Sequence, residues 1–146
     1  MRHLRPAGKP APLHVEEFWK NQAEPLRLSL LAGQAGFRRT VRVADINRPG
    51  LTLAGFFEYY RGERVQVFGM GESAFLSTLS SAQRLEVFDR ILSVPELPCL
   101  IITHGREPVP EMVEQCDRYG VPLFQSQWET ARFIGETTAY LEERLA

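Results

Sequence analysis

The run Pro98-Cys99-Leu100-Ile101-Ile102-Thr103 constrains this chain more than any other stretch. Cys99 to Thr103 is short, unbroken and apolar, the pattern of a strand covered on both faces, as the strands of parallel sheets are. Such a strand needs helices above and below it, and its neighbours supply them. Pro108 and Pro110 open a helix carrying Val109, Met112, Val113 and Cys116 on one side, and Gly120 closes it before a strand over Val121 to Phe124. That is a βαβ unit. Upstream, Arg64 to Phe68 alternates polar and apolar as a strand does, and Gly69-Met70-Gly71-Glu72 leads into a helical piece that runs through Leu79. Ser80, with Gln83 three residues on, forms a capping box that opens a second helix whose inward face is Leu85, Phe88, Ile91 and Leu92.

The chain ahead of that core is less regular. Met1 to Pro12 mixes prolines, Gly8 and basic residues without the apolar content to fold, which predicts a flexible leader over 1–12 and one domain over 13–146. Val15, Phe18, Trp19 and Gln22 repeat at helical spacing and end before Pro25; Leu26, Leu28 and Leu30 then alternate as a half-buried strand. Gly33 and Gly36 bracket a turn. Arg39 to Val43 alternates again, so these two strands either pair as a hairpin or lie apart in one sheet. At Arg48-Pro49-Gly50-Leu51 the proline fixes φ and the glycine accepts positive φ, which predicts a type II turn. Leu51, Ala54 and Glu58 follow at helical spacing within Leu51 to Tyr60, with Gly55 leaving room for a close neighbour. The last helix, Glu129 to Leu145, turns Phe133, Ile134, Thr137 and Leu141 inward.

Three successive strand, helix, strand passages therefore link Val41, Val65, Leu100 and Leu123, and right-handed crossovers make those strands parallel. The expected class is α/β: a three-layer arrangement with a mostly parallel, or mixed, sheet of about five strands flanked by helices. At 146 residues one such domain has a real core. A net charge of −1 gives no pull toward nucleic acid or an anionic membrane. Cys99 and Cys116 lack CxxC spacing and a nearby His pair, so both read as buried thiols. The sequence has no apolar run near the roughly 18 residues of a membrane span and no signal peptide, which predicts a cytoplasmic protein.

Residues that could do chemistry are sparse. Lys9 and Lys20 are the lysines, and neither follows a glycine-rich loop after a strand, so a triphosphate cradle is missing. Gly69-Met70-Gly71 follows a strand and precedes a helix, but Ala74 stands where a dinucleotide fingerprint needs its third glycine, leaving a strand-to-helix turn. Thr103, His104 and Arg106 follow a central strand, where open α/β sheets bind ligands; a solvated loop histidine is the other reading of His104. Arg38, Arg39, Arg42, Arg48, Arg61 and Arg64 crowd around Asp45, Glu58 and Glu63. They form either a mixed solvated surface with Arg48 paired to Asp45, or a small anion site. The candidate ligand or interdomain surface is thus Asn47, Arg48, Arg64, Thr103, His104 and Arg106.

The D-I-N-R-P-G-L segment, the A-G-F-F helix, E-R-V-Q, Gly71-Glu72, Pro98 to Thr103, Gly120-Val121-Pro122 and Tyr140 to Ala146 together resemble the N-terminal domain of bacterial HPr kinase/phosphorylases. The resemblance implies an α/β fold similar to the N-terminal domain of a muramyl ligase, with a Walker A kinase domain following a segment like Tyr140 to Ala146. For the whole protein it implies ATP- and Mg²⁺-dependent phosphorylation of a serine on HPr, phosphorolysis of that phosphoserine and carbon catabolite repression. It also implies a hexamer built mainly by the kinase domains. This chain, on that reading, holds no cofactor and no catalytic residue; its partners are the kinase domain of the same protein, HPr through the full-length enzyme, and other copies of itself. A self-standing sensor of a small anion or phosphorylated metabolite is the alternative.

Overall fold

The computed structural model describes residues 11–146; the leader expected over 1–12 lies outside the described residues except for Ala11 and Pro12. A five-stranded sheet forms the centre. Its strands are β2 (Leu28–Ala32), β4 (Ile46–Asn47), β5 (Val65–Phe68), β6 (Leu100–Ile102) and β7 (Leu123–Ser126), in the order β2-β7-β6-β5-β4. The four strands from β7 to β4 are parallel, and β2 joins β7 antiparallel at one edge. A separate antiparallel ribbon pairs β1 (Leu13–His14) with β3 (Thr40–Val41).

Side chains leave the central strands with period two and meet a different helical layer on each face. Phe68, Leu100, Ile102 and Leu123 point to one core with Leu76, Phe88, Ile91, Met112 and Cys116. These come from α3 (Met70–Thr78), α4 (Ser81–Leu92) and α5 (Pro110–Tyr119). Val65, Val67, Ile101 and Phe124 point the other way, onto Val15 and Phe18 of α1 (Val15–Gln22) and Phe133 and Leu141 of α6 (Thr130–Leu145). Helices on both faces explain why Leu100 to Ile102 carries no polar residue: all three are buried.

Local chemistry sets the helix ends. Ser80 Oγ accepts from Gln83 N at 3.1 Å while Gln83 Oε1 accepts from Ser80 N at 2.8 Å, the reciprocal box expected from the spacing. Gly120 ends α5 at φ 63°, a left-handed cap that costs glycine nothing. Cys99 and Cys116 are free and buried, and burial pushes the Cys99 thiol up to about 12.

The structure corrects three expectations. Val41 is not a strand of the main sheet. Gly33 and Gly36 lie against the backbone of Gly120 to Pro122, and Arg39 donates to the carbonyls of Leu97, Tyr119 and Gly120, which carries the segment off to pair with β1. The first parallel strand is β4 instead. Arg48 to Leu51 is no type II turn: Leu53 N donates to Pro49 O at 2.9 Å, an i to i+4 bond that starts α2 (Gly50–Leu53). Gly50 is therefore a first-turn helical residue and is absent from the positive-φ glycines. The helix expected as far as Tyr60 stops after one turn, where Gly55 reaches φ 103° and Phe56 N bonds back to Leu51 O. Gly55 is needed for that φ and not for a close approach, since a Cβ there would meet nothing within 4 Å. Among the described residues, no helix is long and apolar enough to cross a membrane.

Candidate functional site

The carboxyl ends of β4, β5 and β6 open onto the first turns of α3 and α6, and the chain's best-placed polar groups meet there. Gly69 makes the meeting possible. A Cβ at Gly69 would stand 2.4 Å from Nη2 of Arg48 and 2.8 Å from Oγ1 of Thr130, so two side chains cross its backbone at distances only glycine permits. Arg48 Nη2 passes over it to Glu72 Oε1 at 2.8 Å, and the same carboxylate oxygen accepts Gly69 N at 2.7 Å. Glu72 is buried on α3, so the slot for an anion at that helix start is filled by the protein's own carboxylate. That arrangement replaces the pairing expected between Arg48 and Asp45. Asp45 instead lies 4.0 Å from Arg64.

The second strand end is tied to α6. Thr103 is fully buried; its Oγ1 donates to Phe68 O at 3.3 Å and lies 2.7 Å from Thr130 Oγ1, joining β5, β6 and α6. His104 and Gly105 take left-handed φ values of 62° and 60°. This turn aims the His104 amide at Trp128 O and the Gly105 amide at Ser126 O, both at 2.9 Å. The His104 ring then folds back so that Nε2 accepts Thr130 N at 3.2 Å, occupying one of the free donors of α6. His104 is thus a helix-capping residue on an exposed loop.

Between these groups lies a cavity of about 370 Å³ lined by Arg48, Met70, Gly71, His104, Thr130 and Ala131, with Glu129 at its wall. Of the residues singled out in the sequence, the structure brings Arg48 and His104 to this cavity and puts Thr103 directly beneath it. Arg106 is exposed beside it, with Nη1 3.5 Å from Met70 Sδ. Asn47 and Arg64 are not part of the lining: Asn47 Nδ2 donates to Gln66 Oε1 at 2.6 Å, and Arg64 faces Asp45 and Glu63. The other arginines also disperse, with Arg39 spent on backbone carbonyls and Arg61 over the Tyr59 ring. Glu72, Thr130 and the role of Gly69 were missed. Glu72 carries a legible signal, a carboxylate three residues after the residue that opens a helix; Thr130 has none, because its partner Thr103 is 27 residues away.

A family profile described as HPr Serine kinase N terminus matches residues 13–141. The HPr kinase/phosphorylase of Leptospira biflexa (strain Patoc 1) is 39% identical over 123 residues, covering 84% of this chain and 38% of its own length. That of Brevibacillus brevis is 38% identical over 119 residues, covering 82% of this chain and 38% of its own length. Among solved structures, the CBS and DRTGG domains of the regulatory region of a Clostridium perfringens pyrophosphatase, complexed with diadenosine tetraphosphate, align with a TM-score of 0.49 at 11% identity. That alignment covers 84% of this chain and 48% of the other, a likeness too slight to support an argument. This chain spans 38% of the length of each of the two bacterial relatives.

Proposed function

This chain belongs to the HPr serine kinase N-terminus family, and from that premise we propose that it is the non-catalytic, regulatory or assembly domain of an HPr kinase/phosphorylase. The match over residues 13–141, in a chain that has no Walker A loop, carries the reading. Phosphoryl transfer needs a backbone cradle and a lysine on the phosphates. Here Lys20 lies on α1 beside Glu16, and the Gly69-Met70-Gly71 strand-to-helix turn has Glu72 in its anion slot. ATP, Mg²⁺ and the HPr serine would be engaged by a kinase domain in the same protein, acting in the cytoplasm on carbon catabolite repression. This domain's own partners would be that kinase domain and other copies of the protein. Reading the coding sequence beyond the Ala146 codon tests the proposal: a strand followed by G-x-x-x-x-G-K-[ST] supports it, and a stop codon overturns it.

A second reading, a small-anion or phosphorylated-metabolite sensor, is favoured by one observation: the Arg48 guanidinium, half exposed, faces a cavity that also borders the first turns of α3 and α6. Calorimetric titration with inorganic phosphate and sugar phosphates tests it. Saturable binding that Arg48→Ala abolishes supports this reading, and no heat of binding removes it.

A further inference from the structure

Arg48 reaches the cavity at the carboxyl ends of β4, β5 and β6 with most of its hydrogen-bonding capacity unused. Its Nη2 donates to Glu72 Oε1 at 2.8 Å, and neither Nε nor Nη1 has an acceptor among the described residues. A guanidinium carries its N–H donors in a rigid planar fork that matches the oxygens of phosphate or carboxylate. Glu72 is buried and is not part of the cavity lining, whereas Arg48 is half exposed and is. The carboxylate therefore anchors the fork from the protein side and leaves its other donors to a ligand.

The cavity also has a wall that only accepts. Glu129 lines it, is exposed, makes no side-chain bond to the start of α6 and has no ion-pair partner among the described residues. A bare anion would gain Arg48 but meet Glu129. An organic cation would gain Glu129 but meet Arg48 and, at the rim, Arg106, which has no carboxylate partner among the described residues. A molecule with an anion at one end and hydroxyl donors at the other satisfies both groups. At about 370 Å³ the cavity suits a small one. The anion is chosen by a third donor. His104 Nε2 caps Thr130 N, but the next amide of α6, at Ala131 on the cavity wall, has no acceptor within its helix. A phosphate, with three terminal oxygens, can serve the fork and this amide together; a carboxylate held by the fork has no oxygen left for it. Building on the small-anion reading of this cavity, we propose that its ligand is a small hydroxylated phosphomonoester, with the phosphate on Arg48 and the Ala131 amide and a hydroxyl donating to Glu129.

Amide shifts of the nitrogen-labelled chain, titrated with glycerol 3-phosphate, methyl phosphate and glycerol, test this. Glycerol 3-phosphate should shift Gly71 and Ala131 and bind about 10-fold more tightly than methyl phosphate, and glycerol should not bind. Glu129→Ala should cancel that preference, weakening glycerol 3-phosphate about 10-fold while methyl phosphate binds as well as before or better. Arg48→Lys keeps the charge but loses the fork, and should weaken both phosphates by about 10-fold or more. Gly71→Leu obstructs the cavity without touching a charge. A Cβ there meets nothing within 4 Å and leucine favours a helix over glycine, so both phosphates should be lost with no fall in the urea midpoint. Methyl phosphate bound as tightly as glycerol 3-phosphate, or both weakened equally by Glu129→Ala, would overturn the proposal and leave the small-anion reading standing. Binding that survives Gly71→Leu would overturn it by placing the ligand elsewhere. No shift with either phosphate would remove both.

Discussion

Gly69→Ala tests whether the crossing of Arg48 and Thr130 over the β5–α3 turn holds this end of the sheet together. The backbone at Gly69, with φ −93° and ψ −163°, is extended and open to any residue, so the cost of a methyl group there comes from its neighbours alone. The new Cβ would stand 2.4 Å from Arg48 Nη2 and 2.8 Å from Thr130 Oγ1, and both must move. Arg48 can swing away, but only by releasing Glu72. A hydrogen bond to a charged group is worth about 1.5–3 kcal/mol. With the Arg48 side chain 45% exposed, solvent screening brings this down to about 1–2 kcal/mol. Displacing Thr130 loosens the buried hydroxyl pair with Thr103, at about 1 kcal/mol. The expected destabilisation is about 2–3 kcal/mol, read from urea midpoints at constant slope. Gly135→Ala is the control: it lies within α6 with nothing within 4 Å of a Cβ, so the same change should stabilise by about 0.5–1 kcal/mol. Because Arg48→Ala removes one of the two clashes, the double variant should cost about 1 kcal/mol less than the sum of the singles. A Gly69→Ala protein within about 0.5 kcal/mol of the parent, or strict additivity with Arg48→Ala, would refute the reasoning.

Gly33→Ala should be far worse, about 3 kcal/mol or more, since φ is 75° and the Cβ would stand 1.9 Å from Val121 O; a folded protein with an unchanged melting temperature would contradict this. Gly50→Ala should be nearly neutral, within about 0.5 kcal/mol, because Gly50 is helical and its nearest neighbour is Glu72 Oε2 at 3.6 Å; a large loss would restore the type II turn. Stability should fall at alkaline pH. Burial raises the Cys99 thiol from 9.0 to about 12. It also raises the Cys116 thiol and the Tyr60 phenol, with Asp117 and Glu63 adding to the respective shifts. Since the fold favours the protonated forms, their contribution is whole below about pH 9 and is lost as pH climbs through the raised values. Unfolding midpoints that stay level from pH 8 to pH 11, within roughly 0.5 kcal/mol, would contradict that burial.

What could be read from the sequence was what depends on neighbours in the chain. The central strand, α5 with its prolines and Gly120, and the Ser80 box follow from spacing alone, and the structure places all three as expected. What failed depends on contacts distant in sequence. Arg39 to Val43 has the alternation of any strand, but its pairing is fixed by Arg39 reaching carbonyls 58 to 81 residues away. Pro49-Gly50 satisfies a type II turn as well as it satisfies the start of a helix, and the bond from Leu53 N to Pro49 O selects the helix. At the candidate site, the strand-end rule named His104 and the arginine cluster named Arg48, both of which line the cavity, while charge counting paired Arg48 with the wrong acid. Asp45 is near in sequence; Glu72 is 24 residues on and is brought close by the β4–β5 pairing.

The role of this chain as a non-catalytic domain stands or falls on whether it can transfer a phosphoryl group. Incubating it with ATP, Mg²⁺ and HPr and following phosphoserine on HPr by mass spectrometry is the direct measurement. With no lysine on a glycine-rich phosphate loop in its 146 residues, the chain should leave HPr unmodified under conditions where a longer protein carrying the kinase domain phosphorylates it. Phosphoserine formed by this chain alone, persisting through purification that removes other kinases, would contradict a non-catalytic domain.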